Sequence, residues 1–531
     1  MDEPATTVST ETPVRFWRWV LVIALVALGL RVWVVARSEV AARDSINFIR
    51  YALRFESEPF TKVLREAEQP PGYPLAVLAA SWPVRAWRGT TDPAGMALAA
   101  EIASLCFGVL LVIPMALLGR NLGGPLLGLL AAALFQCLPS WIRLTSDGLS
   151  ESTFLFWSAS ALWLAARAFS GGPLWTMLGC GLAAGCAYFT RPEGAELVIA
   201  AACVLLTMAI LRRITWNQAA LQTAALVAGF AVFLGPFYAT TGRLTNKPTA
   251  RYLLGDETAK TSYFGAAPTK TLPLAVWLQG DEASSKWVSA GKALIQEVAQ
   301  SSRYAGLFLA LIGLYLWSSR IKNQAAGWMM FGLCVLHSGL LIRMTSALGY
   351  LSERHTALLI LVGSYPAALA VQAFAERVRH IAKLRIKVTA LAAVCILFAF
   401  ASELPSLGRA LHGNRAGHRA AGEWLAKNAP AEAGIRDPFC WANYYAGRVF
   451  HETAAADPDE QFVIVENSDN QHSRLPLMPE ARAKATAGTM VYCWPPGDKD
   501  KSLVRVYHWH RPGPFTNSSP TPPSSPSPAG G

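Results

Sequence analysis

Charge is what this chain has least of. Only 15% of its 531 residues are Asp, Glu, Lys or Arg, while 53% are hydrophobic; soluble domains carry about 25% charged residues. With a mean hydropathy of +0.30, the shortage excludes an ordinary cytosolic enzyme and points to a membrane protein. Acidic groups are the scarcer sign, 35 against 47 basic ones, for a formal net charge of +12. In a soluble protein that excess reads as nucleic-acid binding, but in a membrane protein it reads as the basic bias of cytoplasmic loops. The chain also lacks any CxxC pair among its nine cysteines, which removes the usual zinc and dithiol signatures. Cys106, Cys137, Cys180, Cys186, Cys203, Cys334 and Cys395 lie in apolar runs and read as small hydrophobes. Cys440 and Cys493 lie in a polar region and can pair only in an oxidising compartment. No internal repeat is visible, which counts against an inverted-repeat transporter.

What is present is a series of apolar stretches near the roughly 20 residues that cross a bilayer. Eleven are expected, at 16–36, 94–118, 124–141, 149–169, 174–189, 195–211, 219–239, 304–317, 325–342, 356–374 and 388–400. The first is too long for a signal-peptide core and has no clean cleavage site, so it is read as a span. Arg15, Arg18, Arg120, Arg167, Arg212, Arg213, Arg320, Lys322 and the basic run 377–387 share one side if the N-terminus is cytoplasmic, and the opposite short loops are poorer in charge. This orientation places two long loops, 38–93 and 241–303, and everything after the last span outside the cytoplasm. The expected organisation is a cytoplasmic tail 1–15, an α-helical polytopic membrane domain 16–404, a small α/β extracytoplasmic domain 405–511 and a disordered Pro/Ser-rich tail 512–531. In the small domain a helix is expected at 418–428 and strands at 462–465, 490–493 and 503–507. The aromatic segment 437–445 reads as a strand and turn in its core, with sugar stacking as the other reading.

Ionisable groups beside a membrane are costly and therefore candidate functional groups. Phe48, Ala52 and Phe55 follow helical spacing behind Arg43-Asp44, giving an amphipathic surface helix in which Asp44 is either a plain N-cap or a reactive carboxylate. The same loop ends in Glu68-Gln69-Pro70-Pro71-Gly72-Tyr73-Pro74, a rigid turn. Asp147 reads as a helix cap, and Glu151 falls one turn into the fourth span, where an unpaired carboxylate is expensive. The turn Thr190-Arg191-Pro192-Glu193-Gly194 interrupts the helix and holds Arg191 at the mouth of the bundle. In Ser352-Glu353-Arg354-His355, Arg354 reads either as a second cation of a site or as half of an interfacial anchor pair with Glu353. His337, in an apolar stretch, reads as hydrogen-bonded to a neighbouring helix. Asp256 and Glu257, near Arg251 and Tyr252, read as a solvated loop.

In their order and spacing, Arg43-Asp44, QPPGYPL, SDGLSESTFLF and TRPEG resemble the GT-C membrane glycosyltransferases of family 39 type, among them the protein O-mannosyltransferases and the lipid A aminoarabinose transferases; the match covers about the first 240 residues. The resemblance implies transfer of a sugar from a polyprenyl-phosphate donor to a lipid, glycan or protein acceptor on the extracytoplasmic face. It makes Asp44 the catalytic carboxylate, places Glu68, Glu151 and Asp147 along the site, and gives Arg191 the donor phosphate. Two departures stand out. Asp44 is followed by Ser45 rather than by the acidic partner of the O-mannosyltransferases, and Gln69 stands where a Glu-Lys-Pro-Pro pattern is expected of the aminoarabinose enzymes. The chemistry fits on its own terms, because a lipid phosphate is a weakly basic leaving group that needs charge stabilisation, not a proton donor. One carboxylate base then suffices, with inversion, in contrast to the two carboxyl groups of glycosidases. A divalent cation bridging Glu68 and the phosphate is compatible with this scheme, although no spacing marks a ligand set. The contrasting reading is a transporter or flippase of lipid-linked glycans, which would place its charges on broken helices near mid-membrane.

Overall fold

The structure is a computed structural model that describes residues 13–256, 281–321, 323–448, 458–467, 477–497 and 501–511. The expected disordered tail 512–531, most of the tail 1–15 and Glu257 lie outside these residues. The chain divides into two compact units, Met1–Gly413 and Asn414–Gly531.

The described residues of the first unit form helices joined by loops: α1 (Pro13–Val35), α2 (Arg43–Ser57), α3 (Phe60–Glu66), α4 (Gly72–Arg88), α5 (Pro93–Leu110), α6 (Val112–Gly123), α7 (Pro125–Cys137), α8 (Pro139–Leu144), α9 (Glu151–Phe169), α10 (Leu174–Thr190), α11 (Ala195–Ile210), α12 (Trp216–Thr241), α13 (Pro248–Leu253), α14 (Asp281–Ser301), α15 (Ala305–Ile321), α16 (Ala325–Leu348), α17 (Glu353–Ile381) and α18 (Val388–Leu407). The eleven expected stretches fall largely on helix. Six described segments are long and apolar enough to cross a membrane by length and composition: Val14–Val35, Pro93–Gly123, Pro192–Ile210, Trp216–Thr241, Ala325–Leu348 and Glu353–Ile381. Pro125–Cys137, Leu174–Thr190, Ala305–Ser318 and Val388–Phe398 are shorter apolar helices. The expected span 124–141 is broken at Leu138, which is extended because Pro139 disfavours the helical conformation of the residue before it. Large apolar side chains point outward over the bundle surface, among them Trp17, Leu25, Trp33, Phe308 and Phe398, as expected of helices whose solvent is hydrocarbon. The core is lined by small residues that let helices approach closely, such as Ala159, Ala165, Ala184, Ala201 and Ala368.

The loop 38–93 is not irregular. It holds the amphipathic α2, with Ser45, Ile46, Phe48, Ile49 and Ala52 buried, followed by α3 and α4. Two expected caps are corrected here. The N-cap of α2 is Ala42, so Asp44 lies inside the first turn, and the N-cap of α9 is Ser150, so Asp147 caps nothing. Both carboxylates make tertiary contacts instead of capping, Asp44 with Arg354 and Asp147 with His412.

The second unit carries α19 (Ala416–Asn428), β1 (Gly434–Arg436), α20 (Trp441–Tyr445), β2 (Glu460–Glu466), α21 (Met478–Ala487), β3 (Thr489–Trp494) and β4 (Val504–His510). The sheet order is β1-β2-β4-β3, with β1 parallel to β2 and the other pairs antiparallel. Val463, Val465, Tyr507 and Trp509 face α21; alternation turns Glu460, Phe462, His508 and His510 to the other face. The aromatic segment forms a short helix instead of a strand, and Phe439, Trp441, Tyr444 and Tyr445 are buried. Cys440 and Cys493 are not joined by a disulfide.

Candidate active site

Three helix ends converge at one end of the bundle, and each delivers one charged residue for a local reason. Glu151 opens α9 and is fully buried. The main chain of Arg191 turns extended (φ −150°, ψ 136°) ahead of Pro192, which stops α10 and aims the guanidinium across to α9. Arg354 lies in the first turn of α17, where a reciprocal cap between Ser352 and His355 sets the helix start.

These groups form one ion network. Arg191 Nη1 donates to Glu151 Oε1 at 2.6 Å and Arg354 Nε donates to the same oxygen at 2.7 Å. Arg354 Nη1 also donates to Asp44 Oδ2 at 2.6 Å, tying α2 to the bundle. Arg191 Nη2 donates to Glu193 Oε1 at 2.9 Å, and Lys247 Nζ stands 3.7 Å from that oxygen. Burial pulls the Lys247 ammonium below its usual value, with the Glu193 carboxylate opposing. Three cations therefore face three carboxylates, with very different access to solvent. The side chain of Glu151 is 0% exposed and that of Asp44 is 47% exposed. Among the described residues, Glu151 Oε2, Arg191 Nε and Glu193 Oε2 have no hydrogen-bond partner. Buried polar atoms are normally satisfied, so these three carry unused hydrogen-bonding capacity.

The QPPGYP turn acts at a distance from the charges. Tyr73 is buried, meets Phe48 of α2 edge-on at 4.9 Å, and donates to Ala100 O at 2.8 Å. Its hydroxyl is also 2.7 Å from Ser104 Oγ, which exchanges hydrogen bonds with the main chain of Leu149, two residues before Glu151. A Cβ on Gly72 would lie 2.8 Å from Phe189 O at the end of α10, so only glycine lets this turn press on the segment leading to Arg191. Ser45 explains the departure at that position: it is fully buried and its hydroxyl donates to Gly148 O. A second carboxylate there would be buried against a carbonyl. Arg85 and Glu56 form a pair of hydrogen bonds at 2.7 and 2.8 Å that fasten α2 to α4.

The remaining expected site residues lie apart from this network. Asp147 accepts from Gly148 N at 3.1 Å and pairs with His412 Nε2 at 2.8 Å. Glu68 is exposed, and its main-chain N–H donates to Tyr51 Oη at 2.9 Å. Glu353, the neighbour of Arg354, lines a polar cavity of about 380 Å³ together with Arg143, Glu297, Arg303 and Arg409. Among the described residues no grouping of potential metal ligands includes Glu68; the one such grouping belongs to the second unit. Glu193 and Lys247 carried no assignment in the sequence. Glu193 sits inside the TRPEG turn, and Lys247 precedes Pro248 in the second long loop, positioned by hydrogen bonds from Asn246 Nδ2 to Leu64 O and from Tyr188 Oη to Leu244 O. Arg251 and Asp256 pair with each other, with Nε 2.9 Å from Oδ2.

Below the network lies a second ionisable pair. His337 Nδ1 is 2.9 Å from Glu196 Oε2 on α11, and Nε2 is 3.0 Å from His355 O on α17. A carbonyl only accepts, so Nε2 carries a proton. The histidine fastens α16 to two neighbouring helices.

No protein-family profile and no curated protein sequence matches the chain. Solved structures do. ArnT from Cupriavidus metallidurans in the apo state superposes with a TM-score of 0.57 at 13% identity, over 93% of this chain and 98% of that one. ArnT bound to undecaprenyl phosphate gives 0.55 at 12% identity, over 94% and 98%. The archaeal oligosaccharyltransferase AglB from Archaeoglobus fulgidus, in complex with an inhibitory peptide and a dolichol-phosphate, gives 0.53 at 14% identity, over 78% of this chain. The chain spans 58% of the length of that AglB structure. At such identities the likeness establishes the fold, which is the GT-C polytopic membrane fold that the motifs resemble.

Proposed function

We propose that this chain is an integral membrane glycosyltransferase that takes a sugar from a polyprenyl-phosphate donor and gives it, with inversion, to a hydroxyl of a lipid, glycan or protein acceptor. The observation that carries the proposal is the reach of Arg354 from the sealed Glu151 to the half-open Asp44. A buried carboxylate fixes the two guanidiniums, and an accessible carboxylate sits beside them. ArnT and AglB, whose fold the chain shares, have been solved with polyprenyl phosphates.

In the proposed reaction Asp44 takes the proton of the acceptor hydroxyl as that oxygen attacks the anomeric carbon. The bond from the anomeric carbon to the phosphate oxygen breaks, and its electron pair leaves with the polyprenyl phosphate. Arg191, Arg354 and Lys247 meet the phosphate; guanidiniums suit its oxygens because they bind two at a time. Glu151 is too enclosed to exchange protons with an acceptor and serves to position the two arginines. Single displacement through one base gives inversion. No step is routed through a metal, and Glu68 and Asp147 line the approach without touching the reacting atoms. The cavity beside Glu353 offers room for the polar part of an acceptor.

The site is proposed to face away from the cytoplasm, because the basic short loops lie at the other ends of these helices. Ala426, exposed on α19, supplies the probe. In Ala426→Cys, labelling above the wild-type background should occur from outside intact cells; labelling from the cytoplasm alone would reverse the topology. For the reaction itself, purified protein should release polyprenyl phosphate from at least one member of a panel of polyprenyl-phosphate sugars, and Asp44→Asn should abolish the release. Equal release by that variant would contradict the assignment.

A further inference from the structure

The sequence between Val504 and the end of β4 reads Val-Arg-Val-Tyr-His508-Trp509-His510. On a strand, residues two apart share a face, so the His-x-His spacing sets both imidazoles side by side. Their ring centroids are 4.4 Å apart. The register of β2 against β4 adds the third group: Glu460 pairs directly with His510, and Phe462 with His508. Glu460 Oε1 is 2.8 Å from His508 Nε2, and one ligand atom from each of Glu460, His508 and His510 lies within 4.8 Å of the others.

We propose that Glu460, His508 and His510 form a binding site for a divalent transition metal, with Zn²⁺ as the best fit. Three observations beyond proximity support it. Two nitrogens and one carboxylate oxygen are a donor set that suits zinc and is poor for Ca²⁺ or Mg²⁺, which prefer oxygen alone. The His508 ring is held by stacking on Phe462, with centroids 4.8 Å apart and planes 19° apart, so it presents its Nε2 in a fixed direction. The side chains of His508 and Glu460 are 28% and 35% exposed, and His510 is exposed, which gives the ion a path in and leaves a fourth position to water. In a tetrahedral zinc site with bonds of about 2.0 Å, neighbouring ligand atoms stand about 3.3 Å apart. The ion would therefore sit between His508 Nε2 and Glu460 Oε1, with a small widening of that contact, while His510 swings inward from its exposed position. Bound there, it would clip the first residue of β2 to the last residue of β4. The site is independent of the proposed glycosyl transfer.

The test uses the full chain in detergent after stripping with EDTA. Zinc chloride is titrated against a chelator of known affinity, and thermal unfolding is followed with and without zinc. The wild type should bind one tight equivalent that raises its unfolding midpoint. His508→Ala and His510→Ala should each weaken binding at least tenfold and lose the zinc-dependent shift. His510 is exposed, so His510→Ala should unfold at the wild-type midpoint when zinc is absent; Glu460→Gln provides a second conservative variant. Co²⁺ bound in place of zinc should give visible absorption that His510→Ala removes. Equal affinity in the wild type and all three variants, or no saturable zinc binding by the wild type, would overturn the site.

Discussion

Two ionic constellations lie close together in the first unit, and they are built to opposite plans. The Glu196–His337 pair is closed: both Glu196 oxygens are within 3.2 Å of Nδ1, the other ring nitrogen faces a carbonyl, and the two side chains are 8% and 3% exposed. The network of Asp44, Glu151, Glu193, Arg191, Arg354 and Lys247 is open. It contains partnerless buried atoms on three of its members and one side chain, Asp44, with nearly half its surface accessible. Buried ion pairs cost desolvation that their attraction rarely exceeds, so charge burial alone marks neither stability nor function. The difference lies in what is left unsatisfied. A closed pair fastens helices, whereas an open network keeps contacts in reserve for a ligand.

This contrast can be broken by mutation. Glu151→Ala should have the largest effect, because it removes the buried carboxylate that both guanidiniums share; a loss of about 3–5 kcal/mol in unfolding free energy in detergent is expected, together with loss of transfer. Restoration of transfer by a double Glu151→Leu, Arg354→Leu variant would refute a functional network. His337→Ala should cost about 1–3 kcal/mol by leaving Glu196 unpartnered, with turnover per folded molecule unchanged. Its double variant, His337→Leu with Glu196→Leu, should recover most of that stability, as apolar replacements of buried pairs commonly do. A fall in turnover there would move His337 into the reaction. Lys247→Ala should raise the donor KM by about 10- to 100-fold, the worth of a charge-assisted contact of about 1.5–3 kcal/mol, with a smaller change in kcat. Tyr73→Phe should be mildest, at about 1 kcal/mol for the lost hydrogen bond; a larger kinetic than thermal effect would show that the Tyr73–Ser104–Leu149 chain tunes the site directly.

Much of the open network is legible in the sequence because membranes make charge conspicuous. Glu151 stands out through its cost, Arg191 through the proline that follows it, Asp44 through the amphipathic period of its helix, and Arg354 through its place in the short charged segment before the span 356–374. The pairings are not legible. That Arg354 bridges Asp44 and Glu151 depends on chain separations of 310 and 203 residues, for which no local rule exists. Lys247 is not legible for the same reason, and Arg251 and Asp256, the more conspicuous charges of that loop, pair with each other. Of the two readings of Asp44, the cap is excluded, and the cap reading of Asp147 fails as well, because each carboxylate is engaged in a tertiary contact that no local rule displays. In the second unit, three strands were readable from β-branched and aromatic runs, but the aromatic segment formed a helix. The metal-ligand grouping there required the register of β2 on β4, which brings Glu460 to His510 across 50 residues of chain.

Asp44 is the most accessible carboxylate of the open network, 47% exposed against 0% for Glu151, and the most direct measurement is the single-turnover rate of Asp44→Asn beside its thermal unfolding. A general base is worth about 10²- to 10⁴-fold. The rate should fall by that factor while the unfolding midpoint stays at the wild-type value and the donor still binds. A variant that folds as the wild type does and transfers sugar at an undiminished rate would contradict the central claim.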